Sequence, residues 1–159
     1  MGIGSNATYT DPATGQQKYI GLAADINGNL LVRGSSVPFD MTTSMVTSPM
    51  TASGASADQT SQNCRGLQLF IDITAVSGTL PTVTFFIEGK DPVSGKYVTL
   101  LQSATISAVG TFLLTVYPGA IAINNLLANQ PISKTWRVRW LVTGSSPSFT
   151  GTVGGSLMV

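Results

Sequence analysis

Residues 135–143 carry the pattern that most restricts what this chain can fold into. They read Thr-Trp-Arg-Val-Arg-Trp-Leu-Val-Thr. Large apolar side chains occupy every second position: Trp136, Val138, Trp140 and Val142. Because successive side chains of a β-strand point to opposite faces, this period places two indoles on a core face and Arg137 and Arg139 on the other face. The segment therefore predicts a strand that covers a hydrophobic core.

Further strand signals follow one another from Arg65 onward. The predicted strands cover residues 67–74, 82–88, 97–104, 111–117, 135–143 and 149–159. Turn signals separate them, at Ser77-Gly78, Asp91–Gly95, Pro118-Gly119 and Gly144–Pro147. Residues 120–131 fit a helical turn and a crossing loop equally well. Short strands at regular spacing are typical of an all-β, antiparallel β-sandwich, and both jelly-roll and immunoglobulin-like connections stay open.

The N-terminal part of the chain has a different character. Residues 1–17 are polar and predict an extended arm, and residues 18–33 predict a hairpin whose turn is Asn27-Gly28. Residues 34–63 are rich in Ser, Thr, Ala and Met and predict a linker or a loose edge segment. We therefore predict an arm, hairpin and linker over residues 1–63 and a β-sandwich domain over residues 64–159.

Charge is scarce in this sequence. Asp, Glu, Lys and Arg make up 9% of the 159 residues, and the net charge is +1. An average soluble protein has roughly 25% charged residues, and low charge near neutrality promotes association. We therefore expect much of the surface to lie against a partner, although a monomer with an uncharged Ser/Thr-rich surface fits the same composition.

The sequence offers little catalytic chemistry. It contains no histidine, and its one cysteine, Cys64, is expected to be a small buried residue. Asp72 and Glu88 lie at polar positions of consecutive predicted strands, but two solvated carboxylates are expected rather than a glycosidase pair. The motif at Asp91–Gly95 predicts a turn rather than a calcium loop. We expect no enzyme activity, no metal and no cofactor.

The Arg137–Arg139 pair has three interpretations. In order of preference, the arginines reach across the sheet to carboxylates such as Asp72 or Glu88, they contribute to a protein interface, or they bind nucleic acid. Nucleic acid comes last because a phosphate backbone requires a larger basic patch. The N-terminus lacks the features of a signal peptide and no apolar run reaches membrane-helix length, so neither secretion nor membrane insertion is expected.

Several motifs together resemble a known group of proteins. They are residues 22–32 (LAADINGNLLV), 64–78 (CRGLQLFIDITAVSG), 88–97 (EGKDPVSGKY), 117–119 (YPG), 135–139 (TWRVR) and 148–150 (SFT). This succession resembles small virion proteins of tailed bacteriophages, found among head and tail structural genes. The resemblance implies a non-enzymatic structural protein that decorates or cements the head by binding the major capsid protein or other virion subunits. A tail or head–tail connector component is the alternative within this group.

The resemblance also implies a location and a way of binding. The protein would be assembled into the virion in the bacterial cytoplasm, as a homo-oligomer, with its arm lying on a neighbouring subunit. Ordering such an arm costs roughly 1–2 kcal/mol per residue, so a sizeable apolar contact must offset it. The residues expected to supply that contact are Tyr19, Ile20, Leu22, Leu30, Leu31 and Val32. A carbohydrate-binding module that uses Phe86, Tyr97 or Tyr117 is the competing interpretation.

Overall fold

A computed structural model describes residues 7–10, 17–20 and 39–159 of the chain. The chain forms two compact units, Met1–Ser35 and Ser36–Val159. In the first unit, strand β1 (Ala7–Thr10) pairs antiparallel with strand β2 (Gln17–Ile20). β1 lies in the stretch expected to be an extended arm. The predicted Asn27-Gly28 turn and its second strand lie outside the described residues.

The described part of the second unit, residues 39–159, contains eight strands and no helix. The strands are β3 (Phe39–Asp40), β4 (Gly54–Ala55), β5 (Gln59–Thr60), β6 (Gly66–Lys90), β7 (Tyr97–Gln102), β8 (Gly110–Val116), β9 (Leu127–Ala128) and β10 (Thr135–Met158). The all-β prediction is therefore confirmed. Residues 120–131 form a crossing loop that carries β9, rather than a helical turn.

The sheet is organised around one long antiparallel ribbon of β6 and β10. Their pairing runs from Trp136 opposite Gly89 to Met158 opposite Gly66. β8 pairs with the first half of β6 and β7 with its second half, while β3, β4 and β5 pair with β10. β9 runs parallel to β8. The result is a single mixed sheet that curls into a half-barrel, and a sandwich of two separate sheets is not confirmed.

Both long strands bend at the same level of the ribbon. Turns were expected to end strands at Ser77-Gly78 and at Gly144–Pro147, but pairing continues past both sites, with Thr79 opposite Ser145. Gly78 has φ 112° and Gly144 has φ 116°, in a region that residues with a Cβ rarely adopt. Each glycine therefore lets its strand change direction while it keeps its partner. The prediction of separate short strands was wrong here because a facing pair of irregular sites bends a ribbon instead of ending it.

The core lies on the inward face of both halves of the ribbon. Trp136 and Val138 are fully buried and Trp140 is 8% exposed, which confirms the predicted core face of the 135–143 strand. The other fully or almost fully buried large side chains of the strands are Leu67, Leu69, Ile71, Ile73, Val83, Phe85, Ile87, Leu114, Val116, Phe149, Val153 and Leu157. They form one hydrophobic cluster, so both halves of the curled sheet share a single core.

Residues 39–63 also contribute to this core. Met50 is 2% exposed, and its backbone exchanges two hydrogen bonds with Phe149, at 2.8 and 3.1 Å. Val46 and Cys64 are buried in the same cluster, which confirms the expectation for the cysteine. The indole of Trp140 donates to the carbonyl of Ala52 at 3.0 Å. The described part of the stretch predicted as a linker thus belongs to the packed unit.

Candidate partner-binding surface

Arg137 and Arg139 lie on the outward face of β10, because Trp136, Val138 and Trp140 fill the inward positions between and beside them. In the ribbon register, Arg137 is opposite Glu88 and Arg139 is opposite Phe86, both on β6. Directly opposed residues on one face of an antiparallel pair are within contact distance. The alternation of β10 and the register of the ribbon therefore bring these four side chains together.

Glu88 binds both arginines. The Nε of Arg137 donates to its Oε2 at 2.9 Å and the Nε of Arg139 to its Oε1 at 2.6 Å. The Glu88 side chain is only 7% exposed. Burial raises the pKa of this carboxyl, but the hydrogen bonds from Arg139 and Arg137 outweigh burial, and its pKa lies below the ordinary value. Glu88 is therefore charged at neutral pH, and the expected cross-strand pairing of the arginines with Glu88 is confirmed.

An aromatic ring covers each guanidinium. The Cζ of Arg137 lies 3.4 Å from the ring centroid of Tyr97, and the Cζ of Arg139 lies 3.7 Å from that of Phe86. A cation over a ring face at this distance is attracted by the ring quadrupole. Each guanidinium is thus fixed by a hydrogen bond along one edge and by a ring on one face. We call these five residues, Phe86, Glu88, Tyr97, Arg137 and Arg139, the arginine cluster.

Asp58 fixes the ring of Tyr97 in turn. The Tyr97 hydroxyl donates to Asp58 Oδ1, and the Nζ of Lys90 bonds Asp58 Oδ2 at 2.6 Å. The hydrogen bond from Lys90, followed by that from Tyr97, lowers the pKa of Asp58, and Asp58 raises the pKa of Lys90. Sequence analysis missed this contact, because no local pattern links Asp58 to residues that follow it by more than 30 positions.

The arginine cluster keeps a positive charge and free donors. Two guanidiniums share one carboxylate, and Lys90 and Asp58 balance each other. Each guanidinium has five N–H donors, and its Nε bonds Glu88. Within residues 39–159 the terminal nitrogens of neither arginine have a hydrogen-bond partner. The side chains of Arg137 and Arg139 are 24% and 32% exposed, so an external acceptor can reach them.

A second notable surface is uncharged. Residues 97–133, which include β7, β8 and β9, contain no Asp, Glu, Lys or Arg. This uncharged segment nevertheless exposes large apolar side chains. They are Val98, Val109, Leu113, Ile121, Ile123 and Leu126, with Ile121 85% exposed. Sequence analysis inferred association from the low overall charge, but the position of these side chains on the surface emerges only from the fold.

Other expected features can be placed on the structure. Asp91 accepts a hydrogen bond from the backbone of Val93 at 2.9 Å, and Gly95 has φ 69°, which confirms the predicted turn. Asp72 is exposed, as expected of a solvated carboxylate, and accepts from Thr111 at 3.1 Å. The same expectation was wrong for Glu88, because its side chain is 7% exposed and binds the two arginines. The described residues contain no group of metal-binding side chains. None of them forms a helix long and apolar enough to cross a membrane.

The aromatic candidates for sugar binding are already engaged. Guanidiniums cover one face of Phe86 and of Tyr97, and the hydroxyl of Tyr117 donates to the carbonyl of Val159 at 3.0 Å. The apolar residues of the predicted arm stay predictions. Tyr19 and Ile20 belong to β2, while Leu22, Leu30, Leu31 and Val32 lie outside the described residues.

Comparison with known proteins assigns no family to this chain. No protein-family model, curated protein or solved structure matches it significantly.

Proposed function

We propose that this protein is a non-enzymatic structural component of a tailed-bacteriophage virion, which decorates or cements the head by binding the major capsid lattice. The observation that carries the proposal is the uncharged segment. It exposes several large apolar side chains over 37 residues that contain no charge. Large apolar side chains that stay exposed, in a segment without charges to repel a partner, favour a protein interaction.

The form of the interaction follows from the composition. A protein with few charges has little electrostatic repulsion to keep it apart from its neighbours. Burying apolar area stabilises the association by about 25 cal/mol per Å². A repeating lattice presents the same complementary surface many times. The resemblance to tailed-phage virion proteins supports the same interpretation, and it implies assembly in the bacterial cytoplasm, as a homo-oligomer.

We further propose that the curled sheet acts as a sandwich, with the two halves of the ribbon as its layers. The shared core supports this, since residues 67–73 of β6 and residues 83–87 of β6 contribute to one hydrophobic cluster on either side of the bend. A compact body of this kind would present its uncharged segment as a rigid surface to the capsid.

The test is a measurement of copy number in purified particles. Particles from a lysate that contains this protein are banded in a caesium chloride gradient and quantified by mass spectrometry. We expect a near-stoichiometric ratio to the most abundant particle protein. A few copies per particle would instead favour a tail or head–tail connector component. Recovery of the protein only in the soluble fraction would contradict a role in the virion.

A variant locates the contact. Ile121→Ser combined with Leu126→Ser removes exposed apolar surface from the uncharged segment, and we expect fewer copies to be retained on the particle. Val93→Ser is the matched control, because Val93 is 95% exposed but lies outside this segment. Equal retention of the two variants on the particle would show that the uncharged segment does not contribute to binding.

A further inference from the structure

We propose that the arginine cluster binds an exposed carboxylate side chain, Asp or Glu, of the protein that this chain decorates. The inference rests on the proposed function and adds to it the chemistry of the partner. Tyr97 is the one residue that the cluster shares with the uncharged segment, and the arginines and the exposed apolar side chains can be altered separately.

The two arginine side chains are preorganised for binding. Long arginine side chains lose conformational freedom when they bind, which costs roughly 0.5–1.5 kcal/mol for each immobilised side chain. Here Glu88 already holds both Nε groups, and the rings of Tyr97 and Phe86 already hold both guanidinium faces. Asp58 fixes the ring of Tyr97. The arginine side chains have therefore already lost much of their conformational entropy before a partner binds.

The remaining N–H donors of the two guanidiniums suit a carboxylate ligand. After each Nε has bonded Glu88, four N–H donors remain on each guanidinium, and none is engaged within residues 39–159. The planar end of a guanidinium matches the two oxygens of a carboxylate, so a bidentate pair forms there. One added carboxylate also neutralises the single positive charge that Glu88 leaves uncompensated.

The small net charge of the arginine cluster does not suit a nucleic-acid ligand. A phosphate backbone is bound by several cations along its length, and its affinity grows with the number of phosphates neutralised. The cluster has a net charge of one, and the neighbouring Lys90 is already paired with Asp58 at 2.6 Å. A single carboxylate on a protein surface fits this charge, whereas a run of phosphates does not.

The experiment measures binding of the full-length chain to particles assembled without it. One arm uses untreated particles and another uses particles whose surface carboxylates have been converted to amides with carbodiimide and glycinamide. A third arm uses nuclease-treated particles. We expect amidation to weaken binding of the unaltered protein about tenfold or more and nuclease treatment to have no effect. Loss of binding after nuclease treatment alone would identify nucleic acid and overturn the proposal.

A pair of variants tests the arginines directly. Arg137→Lys with Arg139→Lys keeps the charge but removes the planar donors, and we expect binding about tenfold weaker or more, as for interface arginines in general. Lys96→Arg with Lys134→Arg is the control, since both lysines are exposed and lie outside the cluster. We expect its affinity to be unchanged.

The outcomes separate this inference from the proposed function. If the unaltered protein does not bind untreated particles, both fail. If it binds but is indifferent to amidation, or if the double lysine variant binds as tightly as the control, the inference alone fails. Circular dichroism checks that the double lysine variant is folded. If the variant does not fold, the amidation arm still tests the inference, because it uses the unaltered protein.

Discussion

Replacing Glu88 by Gln removes the charge that holds the arginine cluster together. The change keeps the size of the side chain and leaves two guanidiniums beside a neutral amide. Hydrogen bonds to charged groups contribute about 1.5–3 kcal/mol each. Glu88 makes two such bonds, to arginines that are 24% and 32% exposed and therefore partly screened by solvent. The amide oxygen of Gln retains part of the interaction, so we expect a loss of about 2–3 kcal/mol of unfolding free energy at pH 7.

The same reasoning predicts how this loss depends on pH. The pKa of Glu88 lies below its ordinary value of 4.5 in the folded protein. Its contribution is therefore fully present above about pH 4.5 and decreases as the pH falls through the folded pKa, because protons then bind the unfolded state more readily. Urea unfolding followed by Trp fluorescence, repeated from pH 7 to pH 3, should show a constant difference between the natural protein and Glu88→Gln down to about pH 4.5 and a shrinking difference below it.

Asp72→Asn is the matched control. Asp72 lies on the same strand and also points outward, but it accepts a single neutral hydrogen bond, from Thr111, and is exposed. We expect Asp72→Asn to change the unfolding free energy by less than about 0.5 kcal/mol, as is usual for surface substitutions. An equal effect of the two substitutions, or a Glu88→Gln effect that stays constant down to pH 3, would refute the claim that the ion pairs of Glu88 with Arg137 and Arg139 stabilise the fold.

Two further predictions concern packing, and both are measured as the change in the urea midpoint. Gly151→Ala places a Cβ 2.2 Å from the backbone oxygen of Asp72, so we expect about 1–3 kcal/mol of destabilisation. Gly154→Ala should be nearly neutral, because its nearest described heavy atom is 3.9 Å away; equal effects would contradict the close approach at Gly151. Met50→Ala should cost about 2–5 kcal/mol, because Met50 is 2% exposed in the core, and a cost below 0.5 kcal/mol would place it outside the packed unit.

Local patterns in the sequence predicted local structure well. The period of two over residues 135–143 identified the core face of β10, and Asp91 and Gly95 identified a turn, because both signals act between residues close in the chain. The pairing of Arg137 and Arg139 with Glu88 was among the alternatives considered, since opposite charges on predicted neighbouring strands are recognisable from their positions. Which carboxylate the arginines contact depends on the pairing register of the strands, and that register cannot be read from the sequence.

The features that the sequence did not predict depend on distant parts of the chain. The turn signals at Gly78 and Gly144 predict strand ends, because a glycine that bends a strand and one that ends it look alike until the pairing of β6 with β10 is known. Met50 lies among Ser, Thr and Ala and shows no period, so its burial against Phe149 was not visible. Asp58 is part of the polar network through Tyr97, and this contact exists only once β5, β10, β6 and β7 lie side by side.

The β6–β10 ribbon has a consequence for biosynthesis. β10 is translated after the other described strands, yet it is the hydrogen-bonding partner of β3, β4, β5 and β6. The nascent chain therefore emerges from the ribosome with one edge of β6 unpaired, and pairing between such distant segments is slow. Until β10 arrives, this exposed strand is open to aggregation or to capture by a chaperone. Yield in the cell should thus depend on how quickly synthesis of β10 follows that of β6.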